Sequence, residues 1–516
     1  MAYERRWWML LVLCLSVLLV TIDNTIVNVA LPTLSRDLDA STSNLQWIVD
    51  AYTLVFAGLL LVAGHLGDRF GRRRLLQVGL VLFGLTSAAA ASAGSTNELI
   101  AGRAAMGVAA ALIYPATLGL LSNIFTDARE RATAIGIWAG ISGLAVALGP
   151  VSGGLLLEHF SWNSVFLVNV PLVVIALVAG WRLLPESRDS HPGSFDPGGA
   201  IGSIAGIGLL VWTVIEAPNH GWTSTTTALG LVGSVVLLAA FVRWEIGRTD
   251  PMLDVRLFAN ARFSAASFAI TAAFFGLFGF IFLITQFFQS VRGYDTLRAG
   301  LATLPFALVV GVLSPVAILL MKRLGTTRVV TLGLLLMSAG FVVAASSSVD
   351  SAYWGRIVAS MILMAAGLAL TTGPATDAVM GALPPAKAGA GSAVNDTTRE
   401  VGGTLGVAVV GSVMSSIYGP HLADALSALG APAPSVAAAR ESVVAGLAVV
   451  QQLPTSAQAG AGAAVREAFM DGLQAGSLIA AATTFLAAIV VLIFLPARHR
   501  VDAEPEVTSP LPAKVA

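Results

Sequence analysis

Fourteen apolar segments, each long enough to cross a bilayer as a helix, constrain this chain more than any other feature. Soluble domains carry roughly 25% charged residues, whereas this chain of 516 residues is 56% hydrophobic and only 11% charged. The sequence therefore predicts an all-α polytopic membrane protein. The segments lie near residues 7–31, 46–66, 75–94, 98–121, 132–157, 165–184, 199–216, 227–244, 263–288, 298–321, 327–346, 355–380, 392–417 and 473–496.

The basic residues are distributed unevenly among the loops between these segments. If the N-terminus is cytoplasmic, the inside loops hold 21 of the 29 Lys and Arg residues and the outside loops hold 6. Loops that stay in the cytoplasm carry such an excess of positive charge. We therefore expect a multi-pass protein of the plasma (inner) membrane with both termini in the cytoplasm.

Two short basic loops indicate an internal repeat. "GHLGDRFGRRR" follows the second segment and "MKRLGTTR" follows the tenth, which is the second of a later set of six. Parallel repeats of this kind are typical of secondary transporters. The predicted units are an N-terminal six-helix half (1–185), two inserted helices with flanking loops (186–262) and a C-terminal six-helix half (263–500). Within the last, the outer loop 418–471 is expected to form a short helical hairpin, and 501–516 a disordered cytoplasmic tail.

Several kinds of chemistry find no support in the sequence. No Lys follows a Gly, so the chain has no ATP-binding P-loop. No Ser/His/Asp or metal-ligand constellation indicates an enzyme, and the single Cys14 excludes an intramolecular disulfide. Zero net charge gives no hint of a nucleic-acid partner. We expect no cofactor and no metal, and transport driven by an ion gradient or by the substrate's own gradient.

Two charged residues lie deep within apolar segments. Asp23 sits in the first segment, in "VTIDNTIVNVALP", and Arg103 sits in the fourth, in "RAAMG". A charge at such depth is costly unless it is paired, neutralised or facing water. The sequence therefore requires a carboxylate or carbonyl partner for Arg103, and a proton, a partner or an aqueous cavity for Asp23.

The loop after the second segment resembles the signature of the major facilitator superfamily, whose order Gly-x-Leu-x-Asp-Arg-x-Gly-Arg-Arg it matches. The segment around Arg103 resembles the second motif of that superfamily, with Met106 in place of the usual Gln. "GISGLAVALGPVSGG" in the fifth segment resembles the motif of drug–proton antiporters, with Ala145 in place of a Gly. The resemblance implies roles in the conformational change for Gly64, Gly67, Asp68, Arg69, Gly71, Arg72, Arg103, Gly149, Pro150, Gly153 and Gly154.

The first two segments indicate which family within the superfamily the chain resembles. "DNTIVNVALP" is similar to the first-helix signature of the 14-helix drug–proton antiporters, and "QWIVDAY" places Asp50 near the outer end of the second segment. An acid at that place is typical of exporters of quaternary ammonium compounds and other lipophilic cations. The resemblance covers essentially the whole chain. It implies a major facilitator fold with two inserted helices, and proton-coupled export of cationic drugs and dyes.

The four acidic residues within these segments are expected to have different roles. We expect Asp23 to face a midplane cavity, where its cost is relieved by a proton or by a bound cation, and to carry the coupled proton. Asp50 is expected nearer to water, as an attraction point for positive charge. Asp396 and Glu400 are four residues apart and share a helical face, with Arg399 between them. They match acids of the antiseptic exporters and are expected to take part in proton coupling, although they could also simply end a helix among headgroups.

Aromatic rings in these segments are candidates for contact with a flat cation. Packing inside the protein or against lipid is the alternative for each of them. The expected substrate contacts are Asp23, Asp50, Tyr52, Phe56, Trp138, Phe274 and Phe278.

Two other functions stay open at this point. The same fold could export a neutral antibiotic, an endogenous metabolite or a lipid, and a non-transporting membrane sensor or scaffold is the more distant alternative. The expected partners are cationic small molecules, protons and the lipid bilayer, and the expected state is a monomer.

Overall fold

The structure, a computed structural model, describes residues 5–188, 196–249, 251, 253–382 and 388–495, with the side chains of some helical residues, Asp68 among them, left out. The predicted tail 501–516 lies outside the described residues. Within them the chain is helical, with no strand.

The N-terminal part forms seven helices. They are α1 (Arg6–Asp37), α2 (Thr42–Phe70), α3 (Arg72–Ala91), α4 (Thr96–Ile124), α5 (Ala128–His159), the short α6 (Ser164–Leu167) and α7 (Asn169–Leu183). The inserted pair is α8 (Pro197–His220) and α9 (Thr225–Ile246).

In the C-terminal part, the described residues form nine α-helices. They are α10 (Ala261–Gln286), α11 (Thr296–Leu301), α12 (Leu304–Leu324), α13 (Thr326–Ala345), α14 (Val358–Gly381), α15 (Ala388–Ala428), α16 (Ala433–Ala439), α17 (Val443–Gln452) and α18 (Thr455–Phe494).

The predicted number of membrane-spanning segments is roughly consistent with the structure. Within the described residues, twelve helices or joined helix pairs are long and apolar enough to cross a membrane, judged by length and composition. α2 and α5, with 29 and 32 residues, are as long as the others. These two complete the fourteen segments, in the order that the sequence predicts.

The helices form two groups, α1–α7 and α10–α18, and α8 bridges them. α8 packs on both α2 and α15, where Leu54, Val211 and Ala408 share one apolar cluster. We call the end of the bundle that carries Arg6 and the α2–α3 turn the terminal face, and the other end the opposite face. The segment predicted to form a hairpin contains α16 and α17, which lie at the opposite face between the long α15 and α18.

The described hydrogen bonds between the two groups lie between the middle of the helices and the opposite face. The Glu441 carbonyl accepts from both the backbone N–H and the hydroxyl of Thr42, at 2.8 and 2.9 Å, and the Ser35 and Ser442 hydroxyls are 3.0 Å apart. Gln46 donates to the Ala408 carbonyl at 3.0 Å. The bundle is therefore closed at the opposite face.

Local sequence explains where several of these helices begin and end. Ser41 and Ser95 cap α2 and α4 by accepting from backbone N–H groups in the first turn. Gly71 joins α2 to α3 with a φ of 111°, a conformation that residues with a Cβ rarely adopt. The turn in the signature loop therefore depends on glycine at this position.

Candidate functional site

The two deeply placed charges pair with each other. Arg103 on α4 donates to Asp23 Oδ2 on α1 at 2.6 Å, and both side chains are fully buried. Arg103 Nε donates to the Ile48 carbonyl at 3.0 Å, and the guanidinium lies 4.2 Å from the Tyr52 ring centroid. The partner that the sequence requires for Arg103 is thus present twice, as a carboxylate and as a carbonyl.

Two further helices complete this cluster. The Asn169 amide at the start of α7 donates to Asp23 Oδ1 at 2.8 Å and to the Ser87 hydroxyl on α3 at 3.0 Å. All four side chains are at most 1% exposed. Because each oxygen of Asp23 has a donor, the buried carboxylate is fully hydrogen-bonded and charge-paired, as a buried charge must be.

The prediction about the surroundings of Asp23 is therefore wrong. The sequence predicts that Asp23 faces a cavity, where a proton or a bound cation relieves the cost of its charge. In the structure its charge is balanced by Arg103 instead. The reason is the packing of α1, α4 and α7, which brings Arg103 and Asn169 to the carboxylate and buries it completely.

Asp50 has the opposite environment. Its side chain is fully buried, and neither carboxylate oxygen has a hydrogen-bond partner among the described residues. The expectation that Asp50 lies nearer to water is wrong, because α15 and the residues before α17 cover the first turns of α2 through Gln46 and Thr42. An isolated buried carboxylate costs several kcal/mol when ionised, so Asp50 is the acid whose charge most needs a partner.

Three of the aromatic residues singled out in the sequence lie in one row. The ring centroids of Tyr52 and Phe56 are 5.9 Å apart, those of Phe56 and Tyr114 are 5.8 Å apart, and those of Tyr114 and Trp138 are 5.4 Å apart. The row begins beneath Arg103 and crosses from α2 through α4 to α5. Sequence reasoning missed Tyr114, although it lies about three helical turns after Arg103 on the same face of α4.

Only one ring of this row keeps an accessible surface of any size. Tyr52, Phe56 and Trp138 are buried, whereas Tyr114 is half-buried. The Trp138 indole N–H donates to the Thr117 hydroxyl at 3.2 Å. The row is therefore packed on one side and open at Tyr114.

The second group contributes acids and rings from α15 and α10. Asp396 and Glu400 are half-buried, and Glu400 Oε2 has no hydrogen-bond partner among the described residues. Arg399 forms no ion pair with either acid in the part of the chain that the structure describes; it donates to the Thr376 hydroxyl at 3.3 Å and lies 5.5 Å from the Phe274 ring. The Phe274 and Phe278 rings stack, with centroids 6.0 Å apart.

The basic signature loop is bound at the terminal face. Arg72 donates to the Gly119 carbonyl on α4 at 3.2 Å and to the Ser187 hydroxyl at 3.3 Å, and Glu186 accepts from the Arg73 backbone N–H at 3.1 Å. Gly64 and Gly67 lie on α2, and Arg69 lies beside the Phe70 ring. The loop thus joins the end of α2 to α4 and to the chain after α7, while the Asp68 side chain lies outside the described set.

The glycine motif of α5 makes close contact with both groups. A Cβ on Gly149 would overlap Thr25 on α1, and one on Gly153 would approach Ile26. A Cβ on Gly154 would overlap the Thr296 backbone on α11, whose hydroxyl donates to the Gly154 carbonyl at 3.1 Å. Only a glycine surface allows these backbones to approach so closely.

Comparison with known proteins agrees with this architecture. The family model described as the Major Facilitator Superfamily matches residues 13–407. The multidrug efflux pump LfrA of Mycolicibacterium smegmatis is 39% identical over 94% of this chain and 96% of its own length. The tetracenomycin C resistance and export protein of Streptomyces glaucescens is 33% identical over 99% and 95%. The methyl viologen resistance protein SmvA of Salmonella typhimurium is 36% identical over 80% and 83%.

Solved structures show the same fold. A bacterial homologue of the human lysosomal transporter Spinster, inward-facing and unoccupied, superposes with a TM-score of 0.66 at 17% identity, over 94% of this chain and 98% of that one. The inward-open xylose transporter XylE of E. coli gives a TM-score of 0.58 at 15% identity, over 96% and 98%. At these identities the likeness concerns the fold alone.

Proposed function

The chain belongs to the major facilitator superfamily, a membrane transporter and not an enzyme, and on that premise we propose that it exports lipophilic cations in exchange for protons. Its full-length relatives are drug efflux pumps and resistance proteins. SmvA takes its name from methyl viologen resistance, and methyl viologen is a flat organic dication. This supports a cationic, aromatic class of substrate.

The observation that carries the proposal is the bare carboxylate of Asp50. A buried acid without hydrogen-bond donors is stable when it is neutral, and it is also stable when a cation replaces the proton. Proton and drug would then compete for Asp50, and competition for one site is sufficient for exchange. Asp23 would join this cycle only in a conformation in which its pair with Arg103 opens.

The second group supplies the other side of the proposed cavity. Glu400 and Asp396 give α15 two acids, one with an unpartnered oxygen, and Phe274 and Phe278 offer stacked rings on α10. Across from them Tyr114 is the accessible ring of the aromatic row. We propose that a cation lies between these two surfaces, with aromatic faces on both sides.

The proposed cycle rocks one group of helices against the other. The bundle is closed at the opposite face, so the structure represents the state that would take up a drug from the terminal face. The excess of Arg in the loops of that face supports a cytoplasmic position for it. Both termini would then be cytoplasmic, in the plasma (inner) membrane, and the transporter would act as a monomer.

The test uses purified protein in proteoliposomes loaded with a fluorescent lipophilic cation. An imposed pH gradient should drive dye movement in the wild type, and an ionophore that collapses the gradient should stop it. Asp50→Asn should abolish gradient-driven movement while leaving the protein folded, with Asp37→Asn, outside the cluster, as the matched control. Dye movement that does not depend on the pH gradient, or full activity of Asp50→Asn, would contradict the proposal.

A neutral antibiotic is the second candidate substrate. The relative that spans 99% of this chain is named for resistance to tetracenomycin C and for its export. A neutral compound would not need the charge of Asp50, so its export should survive Asp50→Asn. Comparing a cationic dye with a neutral antibiotic in the same vesicles separates the two candidates.

A further inference from the structure

Among the side chains that the structure describes, Asn169 is the one neutral group that donates to the buried ion pair. It is the first residue of α7, within the apolar run "VNVPLVVIALVAG", and is 1% exposed. A primary amide there would be costly without partners, yet its nitrogen has two, Asp23 Oδ1 at 2.8 Å and Ser87 Oγ at 3.0 Å. Asn169 therefore links α7 to α1 and α3 at a single buried point.

The contacts of Arg103 show why this donor matters. One guanidinium nitrogen serves Asp23 Oδ2, and Nε serves the Ile48 carbonyl. Met106 is the nearest alternative partner in the cluster, 3.9 Å from the Ser87 hydroxyl and 4.0 Å from Arg103, but a thioether has no hydrogen to donate. Among the described contacts, the Oδ1 atom of Asp23 therefore depends on Asn169 alone.

We propose that Asn169 is a positioning residue for ion coupling, which fixes Asp23 as the charged partner of Arg103 and keeps it out of proton exchange in this conformation. This rests on the proposed proton-coupled export. Two buried acids of the same helix group would then have different roles. Asp23 is held by donors on both oxygens, and Asp50 is left free to exchange a proton for a cation.

Without Asn169 the pair would lose its second point of attachment. The Oδ1 atom would be buried with no donor, and a proton would be the partner that restores its hydrogen bond. Asp23 would then compete with Asp50 for the coupled proton, and Arg103 would lose a fixed counter-charge. Among the described residues, the charged or titratable groups around this point are Asp23 on α1, Arg103 on α4 and, beyond Arg103, Tyr52 on α2. Tyr114 on α4 and Glu400 on α15 in turn act electrostatically on Tyr52.

The experiment compares Asn169→Leu with Asn169→Asp. Leu has no donor, and we expect a roughly tenfold fall in efflux rate at every pH, the order expected for loss of one hydrogen bond to a charged group. The carboxyl introduced by Asn169→Asp can donate through its O–H only while it is protonated. Its efflux rate relative to wild type should therefore fall as the pH rises. Asn97→Asp, at an exposed position in the first turn of α4, is the control for an added carboxyl and should follow the wild type.

A second readout does not depend on transport. Infrared spectroscopy detects protonated carboxyl groups, and the Asp23→Asn substitution identifies the signal of Asp23. Asn169→Leu should show a new protonated-carboxyl signal at neutral pH that disappears when Asp23→Asn is added, and the wild type should lack it. A variant without this signal and with wild-type efflux would show that Asn169 only fills space. Absence of proton-coupled efflux in the wild type would overturn the proposed function, and the infrared result would still decide the role of Asn169.

Discussion

At the scale of single residues, two buried acids of the same helix group have opposite environments. Asp23 has an Arg and an Asn as donors, and Asp50 has no donor among the described residues. Both lie in the same helix group and are fully buried, Asp23 midway along α1 and Asp50 in the third turn of α2. The difference between them lies in their neighbours and not in their distance from water.

The ion pair gives a prediction about stability. Asp23→Asn leaves Arg103 buried without its counter-charge, and breaking one partner of a buried pair costs about 3–5 kcal/mol. Replacing both, as Asp23→Leu with Arg103→Met, should cost clearly less than the sum of the single changes. Thermal unfolding of the purified variants measures this, and additive losses would show that the two side chains are not energetically coupled.

The sequence could predict one half of this arrangement. The depth of Arg103 in an apolar segment requires a partner, and the structure supplies it. Which partner it is depends on how α1, α4 and α7 pack, and periodicity within a helix carries no information about contacts across helices. Spacing therefore places Asp396 and Glu400 on one face, but it could not distinguish the paired Asp23 from the unpaired Asp50.

At the scale of elements, α5 and α11 are in close backbone contact at a glycine of α5. Gly154 lies against the Thr296 backbone at the contact between the two helix groups. Gly311 on α12 has no atom within 4 Å of the place where its Cβ would be. The two positions therefore differ in what a larger side chain would meet.

Gly154→Val should keep the protein folded but oppose closure at the opposite face, because the added side chain overlaps α11. Gly311→Val, in open space, is the control and should transport normally. Distances between spin labels across the opposite face would measure closure. Equal distance distributions in the two variants would contradict the assigned contact.

The inserted pair is joined by a polar contact just outside the span of α8. Burial by itself raises the pKa of Asp196, but hydrogen bonds from Arg248, the Gly199 N–H and Trp244 together hold it below its ordinary value of 3.8. A carboxylate with a lowered pKa in the folded state stabilises the fold above its unfolded pKa. That contribution is lost as the pH falls through the lower, folded pKa.

Asp196→Asn should therefore lower the thermal unfolding temperature at neutral pH. The difference from wild type should shrink as the pH falls below 3.8 and through the folded pKa. Unfolding scans of both proteins from pH 7 to strongly acidic solution test this. A difference that stays constant over that range would show that the charge of Asp196 does not contribute.

At the scale of the whole molecule, the proposed alternating access requires the contacts at the opposite face to separate. Ser35 on α1 and Ser442 before α17 are 3.0 Å apart across the two groups, and the only cysteine of the chain, Cys14, is buried. A pair of cysteines at these two positions could therefore be oxidised selectively.

Ser35→Cys with Ser442→Cys, in a Cys14→Ser background, should lose efflux on oxidation and regain it with a reductant. Each single cysteine should stay active under both conditions, which controls for the chemistry itself. Efflux through an oxidised, fully cross-linked protein would show that this part of the opposite face does not open during transport.

The chemistry of that closure sets the energy that is needed to open it. Its described hydrogen bonds join hydroxyls, amides and backbone carbonyls, and none of them joins two charges. A neutral hydrogen bond contributes about 0.5–1.5 kcal/mol net, and one elementary charge that crosses a potential of 100 mV gains about 2.3 kcal/mol. Each of these hydrogen bonds is thus weaker than the energy of one charge moved across such a potential. Because none of them is an ion pair, the ionic strength of the solution at the opposite face should leave the opening of these contacts unchanged.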